Sequence, residues 1–108
     1  MYLLFTVFDP TVGNPSQFQV SEDTPNSVNL NWRPSLRSCN VIGYRIRYNN
    51  PIINSFKDVL GGDSNSVTIS GLQDGRTYFF SIAAFTAEQL LPYSDSVSIT
   101  TPSLDGRT

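Results

Sequence analysis

The sequence predicts an all-β domain, a two-sheet sandwich of seven antiparallel strands with Greek-key connections, and three observations carry that expectation. Apolar side chains alternate with polar ones in short runs, and no segment sustains the 3.6-residue period of an amphipathic helix. The runs are separated by clusters such as Asp23-Thr24-Pro25-Asn26, Asn49-Asn50-Pro51 and Gly61-Gly62-Asp63, whose residue types favour turns. The chain has 108 residues and one cysteine. That length buries roughly two-thirds of the unfolded surface around a single core, and one cysteine cannot staple it internally.

Each element follows from its own residues. The first strand, Gln17 to Val20, comes after the breaker Gly13-Asn14-Pro15. The second, Ser27 to Trp32, sets Val28, Leu30 and Trp32 on one face. In the third, Tyr44, Ile46 and Tyr48 oppose Arg45 and Arg47. Phe56 to Leu60 is a weaker fourth run, and Ser66 to Ser70 turns Val67 and Ile69 inward. The longest run, Arg76 to Phe85, places Tyr78, Phe80, Ile82 and Ala84 on one face and Phe79, Ser81, Ala83 and Phe85 on the other. Ser94 to Thr100 closes the set with Val97 and Ile99 inward. Polar residues on one side of each strand fit sheets with one wet face. The expected structural core is Trp32, Tyr44, Ile46, Leu72, Tyr78 and Ile82, with Trp32 its largest apolar payload.

Asp74-Gly75-Arg76 reads backwards as the adhesion tripeptide Arg-Gly-Asp. The reversed order does not carry the tripeptide's geometry, and the residues suit a corner. Glycine reaches a positive φ cheaply, and Arg76 begins a strand. Tyr78, six residues after Leu72, is expected to close that corner by giving its hydroxyl to a backbone carbonyl near Leu72. A second Asp-Gly-Arg, at Asp105 to Arg107, lies near the end of the chain.

Composition narrows the function classes. Net charge is −2, and the seven basic residues form no run, so there is no electrostatic footprint for nucleic acid. With no histidine there is no Ser-His or Cys-His pair and no zinc set. The carboxylates are scattered over turns, Gly61-Gly62-Asp63 is not followed by a helix, and no calcium-loop spacing occurs. The chain is therefore read as non-catalytic, without metal or cofactor. The only Asn-x-Ser match, Asn14-Pro15-Ser16, is blocked by its proline. Cys39 is read as a small hydrophobe, or as a thiol paired between chains.

Several stretches together carry a family resemblance from about Pro15 to Pro102. Pro15 with Phe18-Gln19-Val20 opens it, and Trp32 is followed by Pro34. Ile42-Gly43-Tyr44-Arg45-Ile46-Arg47-Tyr48 looks like a third strand. Val67-Thr68-Ile69-Ser70-Gly71-Leu72 leads to a corner at Asp74-Gly75-Arg76-Thr77-Tyr78, then Ile82-Ala83-Ala84. Ser94, Val97, Ile99 and Thr101-Pro102 end it. In this order and spacing they resemble the fibronectin type III family, whose fold is an immunoglobulin-like sandwich. The family's best-known adhesive module carries its tripeptide between the last two strands. Here Thr86 to Tyr93 holds no such motif, and Pro92-Tyr93-Ser94-Asp95-Ser96 is not the Trp-Ser-x-Trp-Ser box of haematopoietic cytokine receptors.

The expected organisation is an apolar leader over residues 1–13, a domain over 14–102 and a linker over 103–108. MYLLFTVF is too short to span a bilayer and lacks a basic flank. Tyr2 to Phe8 is either the tail of a preceding linker or an extra strand, open to self-association. Two candidate binding surfaces stand out: an outward face with Arg45, Arg47, Phe79 and Phe85, and a loop with Leu90, Leu91 and Tyr93. Arginine beside aromatic residues is the composition of interface hot spots. The same residues also suit ordinary cross-strand cover, and one leucine of the loop suits a plug for the core. The resemblance implies a protein-interaction and spacer module of a larger extracellular matrix or cell-surface adhesion or receptor protein, binding a protein partner and its neighbouring domains. The alternatives are a spacer of a secreted bacterial carbohydrate-active enzyme and a module of an intracellular cytoskeletal array.

Overall fold

The computed structural model describes residues 15–34 and 41–103. The expected apolar leader over residues 1–13, with Tyr2 to Phe8, and Cys39 and the second Asp-Gly-Arg all lie outside the described residues. Among the described residues seven strands form: β1 (Ser16–Thr24), β2 (Ser27–Arg33), β3 (Gly43–Asn49), β4 (Asn54–Leu60), β5 (Ser66–Ile69), β6 (Thr77–Phe85) and β7 (Val97–Thr100). They make two antiparallel sheets, β1-β2-β5 and β4-β3-β6-β7. The chain crosses between sheets after β2, β4 and β5, which is the expected Greek-key path.

The alternation in the sequence translates directly into burial. Val28, Leu30 and Trp32 of β2 are buried, as are Tyr44 and Ile46 of β3 and Tyr78, Phe80, Ile82 and Ala84 of β6. Val41, Ile69, Leu72 and Leu91 complete the core, while Val67, Tyr48 and Ile99 pack against it half-buried. The Trp32 and Tyr44 rings meet at 5.4 Å across the two sheets, tilted by 56°, a favoured aromatic geometry.

Turns do what their residues suggest. Asn50 accepts backbone N–H groups from Ile52 and Ile53 through its side-chain oxygen, each at 2.9 Å, so a side chain builds the β3–β4 hairpin. At the other end, β7 is shorter than its alternating run. The Ser94 hydroxyl accepts from the Ile82 N–H at 3.1 Å, taking the place of a backbone carbonyl opposite β6, and the ladder resumes only at Val97. At the start of β1 the register shifts between Ser16 and Gln19, and Gln17 takes a φ of 54°, a bulge; the strand itself runs from Ser16 to Thr24, one residue before and four beyond the expected Gln17 to Val20, so that Asp23 and Thr24 of the expected turn belong to it.

The corner at Asp74-Gly75-Arg76 is structural, with one correction. Gly75 has a φ of 63°, and its N–H donates to Pro102 at 3.0 Å. The Tyr78 hydroxyl, however, accepts from the Gln73 N–H at 2.9 Å, rather than donating to a carbonyl near Leu72. That carbonyl is already taken by the Asn26 side-chain amide at 2.8 Å. The corner's second tie is Thr101, fully buried, whose hydroxyl donates to the Gln73 carbonyl at 2.7 Å and accepts from the Arg76 N–H at 3.0 Å.

Candidate functional site

The outward face of the β4-β3-β6-β7 sheet carries the candidate site, and cross-strand register decides its membership. Arg45 stands between Asp58 on β4 and Ala83 on β6, and Arg47 between Phe56 and Ser81. Asn49, the next residue on that face, stands opposite Phe79, and at the other end Gly43 stands opposite Phe85. The small side chains of Ser81 and Ala83 are buried although they lie on the outer face. They leave room for the arginine side chains to lie across the sheet.

The two arginines have different partners. The Arg45 Nε donates to Asp58 Oδ1 at 2.7 Å, and its Nη2 to Oδ2 at 3.0 Å. Its guanidinium also lies 4.2 Å over the Phe56 ring. The Arg45 hydrogen bond holds the Asp58 carboxyl below the usual carboxylate range, against a smaller opposing effect of burial. Arg47 lies 4.1 Å over the Tyr93 ring. Among the described residues Arg45–Asp58 is the ion pair of this face, and Arg47 has no carboxylate within ion-pair distance. Tyr93, contributed by the loop after β6, thus joins the outer face by stacking on β3.

The predicted residues separate into three groups. Arg45, Arg47 and Tyr93 come together. Phe79, 42 % exposed, lies diagonal to Arg47. Phe85 is six positions further along β6, roughly 20 Å away at strand spacing, and it covers Gly43. A Cβ built on Gly43 would meet the Phe85 ring at 2.6 Å, so Phe85 is half-buried packing. Leu91 is buried in the core, and Leu90, 42 % exposed, forms an isolated bridge with Phe85. The sequence reading missed Phe56 and Asp58. Both sit at alternate positions of the weaker fourth run, and only the β3–β4 register places them against the arginines.

Trp32, Tyr44, Ile46, Leu72, Tyr78 and Ile82 are all core. Among the described residues no group of three His, Cys, Asp or Glu could hold a metal ion, and no helix is long and apolar enough to cross a membrane.

A sandwich of three and four antiparallel strands, with a tryptophan in its second strand and a tyrosine-closed corner, defines a β-sandwich module. The family is shown by sequence: the Fibronectin type III domain profile matches residues 13–100, and the chain belongs to that family. Solved structures agree on the fold. The chicken CNTN1 FN1–FN3 domains match at 20 % identity and a TM-score of 0.76, over 82 % of this chain and 32 % of that one. This chain therefore spans about a third of that structure. The FN5 domain of Drosophila Lar matches at 23 % identity and a TM-score of 0.70, over 84 % and 97 % of the two chains. The fn3 domain of human contactin 1 matches at 19 % identity and a TM-score of 0.79, over 98 % and 91 %.

Proposed function

We propose that this domain is a non-catalytic protein-interaction and spacer module of a larger extracellular or cell-surface chain, and that its binding face is the outer surface of the β4-β3-β6 sheet. The observation that carries the reading is the cluster of Arg47, Phe56, Phe79 and Tyr93 on that face. Phe56 and Phe79 are 55 % and 42 % exposed beside a cation, the composition that hot spots favour. The numbered domains of CNTN1 and Lar are structures of the same fold in chains with several such domains, which supports the multidomain setting. Residues 14–102 are the module in this reading, with 1–13 and 103–108 as connections to what lies beyond.

Immunodetection of the native product in lysate and culture medium, with and without reductant, tests the setting. A large product in medium or at the cell surface is expected. A product of about the size of this chain alone, 12.0 kDa, overturns the multidomain reading. A large cytosolic product favours an intracellular array, and a large bacterial product with a catalytic domain favours the enzyme spacer. In the native product, Phe56→Ala with Phe79→Ala is expected to abolish partner capture; undiminished capture overturns this face as the binding surface.

A further inference from the structure

We infer that the outer face is a receptor for an acidic side chain flanked by apolar ones, with Arg47 as the residue that binds the carboxylate; this rests on the reading of that face as protein-binding. Arg45 and Arg47 point the same way from one strand, about 7 Å apart, yet their charges are in different states. Arg45 is neutralised by a two-point contact with Asp58. Arg47 is held by the Tyr93 ring alone among the described residues, and an aromatic face orients a guanidinium without neutralising it. Counting Arg45, Arg47 and Asp58, the face carries one unbalanced positive charge on a chain whose net charge is −2. Lys57 does not add to it, because Lys57 pairs with the core residue Ile46 in register and so belongs to the opposite face of β4.

The surroundings determine what kind of carboxylate fits. Phe56 stands directly opposite Arg47 on β4, and Phe79 lies diagonally from it on β6. Both residues are exposed, the Phe56 ring carrying the Arg45 guanidinium on one side, so a bent line from β4 to β6 runs aromatic, cation, aromatic. Adjacent strands are about 4.8 Å apart, and alternate residues of an extended peptide about 6.6 Å. The steps along the line are unequal, about 4.8 Å from Phe56 to Arg47 and about 8 Å on the diagonal from Arg47 to Phe79, and their sum is close to the distance of about 13 Å between the two apolar side chains of an extended segment that reads apolar, acidic, apolar at every second position. The rings exclude water around the ion pair, and a desolvated charge pair is stronger than an exposed one. Arg47 is fork-shaped and permanently charged, which suits two-point carboxylate recognition.

The test titrates the isotope-labelled 108-residue chain with acetyl-Ser-Leu-Ser-Glu-Ser-Leu-Ser-amide and follows backbone NMR shifts. Two control peptides carry Gln or Lys in place of Glu. The expected result is shifts at Arg47, Phe56 and Phe79, with the Glu peptide binding about fivefold more tightly than the Gln peptide and the Lys peptide weakest. Arg47→Gln should equalise the Glu and Gln peptides, whereas Arg47→Lys should keep part of the preference. Phe79→Ala should weaken Glu and Gln peptides alike. Equal binding of the Glu and Gln peptides, or tightest binding of the Lys peptide, overturns the carboxylate assignment and leaves the protein-binding face standing. No shift at this face with any of the three overturns the assignment and counts against the face as well.

Discussion

Arg45 and Asp58, thirteen residues apart in sequence, face each other across β3 and β4 and make a two-point ion pair at 2.7 and 3.0 Å. Because the Arg45 hydrogen bond lowers the Asp58 pKa, this pair links stability to pH with a definite sign. A carboxyl with a depressed folded-state pKa stabilises the fold above its unfolded value and loses that contribution as pH falls through the folded value. Both groups are about a third exposed, so the pair is worth less than about 1 kcal/mol. Asp58→Asn should lower the urea midpoint slightly at pH 7. The gap between variant and parent should close as pH is taken below the ordinary carboxylate value of 3.8 and on through the lowered one. A gap unchanged at acid pH would show that Asp58 acts through packing.

Tyr44 makes the mirror-image prediction at alkaline pH. Its hydroxyl donates to the Gly62 carbonyl at 2.6 Å, and burial, with a smaller effect of the Asp63 charge, raises its pKa above 10.0. The raised pKa means that the neutral phenol is what the fold holds. The stabilisation is complete below pH 10 and is lost as pH rises through the raised value. Tyr44→Phe should therefore be less stable than the parent at neutral pH, by about 1 kcal/mol for the lost hydrogen bond, and should show a flatter stability profile above pH 10. Parallel alkaline profiles for the two proteins would contradict the assignment.

The corner is a two-tie device, and the ties should be coupled. Gln73 gives its N–H to the Tyr78 hydroxyl and receives the Thr101 hydroxyl at its carbonyl. Tyr78→Phe and Thr101→Val should each cost about 1–3 kcal/mol, since each leaves a backbone group of Gln73 without its partner. Contacting residues that share a partner are non-additive by about 0.5–3 kcal/mol, so a double-mutant cycle in urea should show an interaction energy in that range. Additivity would mean that the two ties act independently.

Trp32 should behave as pure volume. Its indole N–H is buried and, among the described residues, without a hydrogen-bond partner. Trp32→Phe then sacrifices no hydrogen bond and removes a costly orphan donor, which offsets part of the packing loss. It should cost about 1–3 kcal/mol, less than the loss of about 3–5 kcal/mol for Trp32→Ala. Thermal unfolding of the two variants checks this, and near-equal losses would indicate that the indole N–H is satisfied after all.

The strands, their inner and outer faces, the glycine at the corner and the family are legible in the order of residues. These follow from a two-residue period and from turn chemistry, both local properties. Tyr44, Ile46, Tyr78 and Ile82 could be assigned to the core without knowing which strand each one meets. The composition of the candidate site depends on strand pairing across the sheet. Alternation reports which face a side chain occupies but not which residue stands opposite, so Phe56 and Asp58 were invisible as partners of the arginines. For the same reason Phe79 and Phe85 read as equivalent, although one is an exposed neighbour of Arg47 and the other covers Gly43 at the far end of the strand. Tyr93 belongs to an irregular loop with no period to read. It joined Arg47 only when the loop after β6 folded back along the sheet, a placement set by packing at a distance in sequence rather than by any local preference.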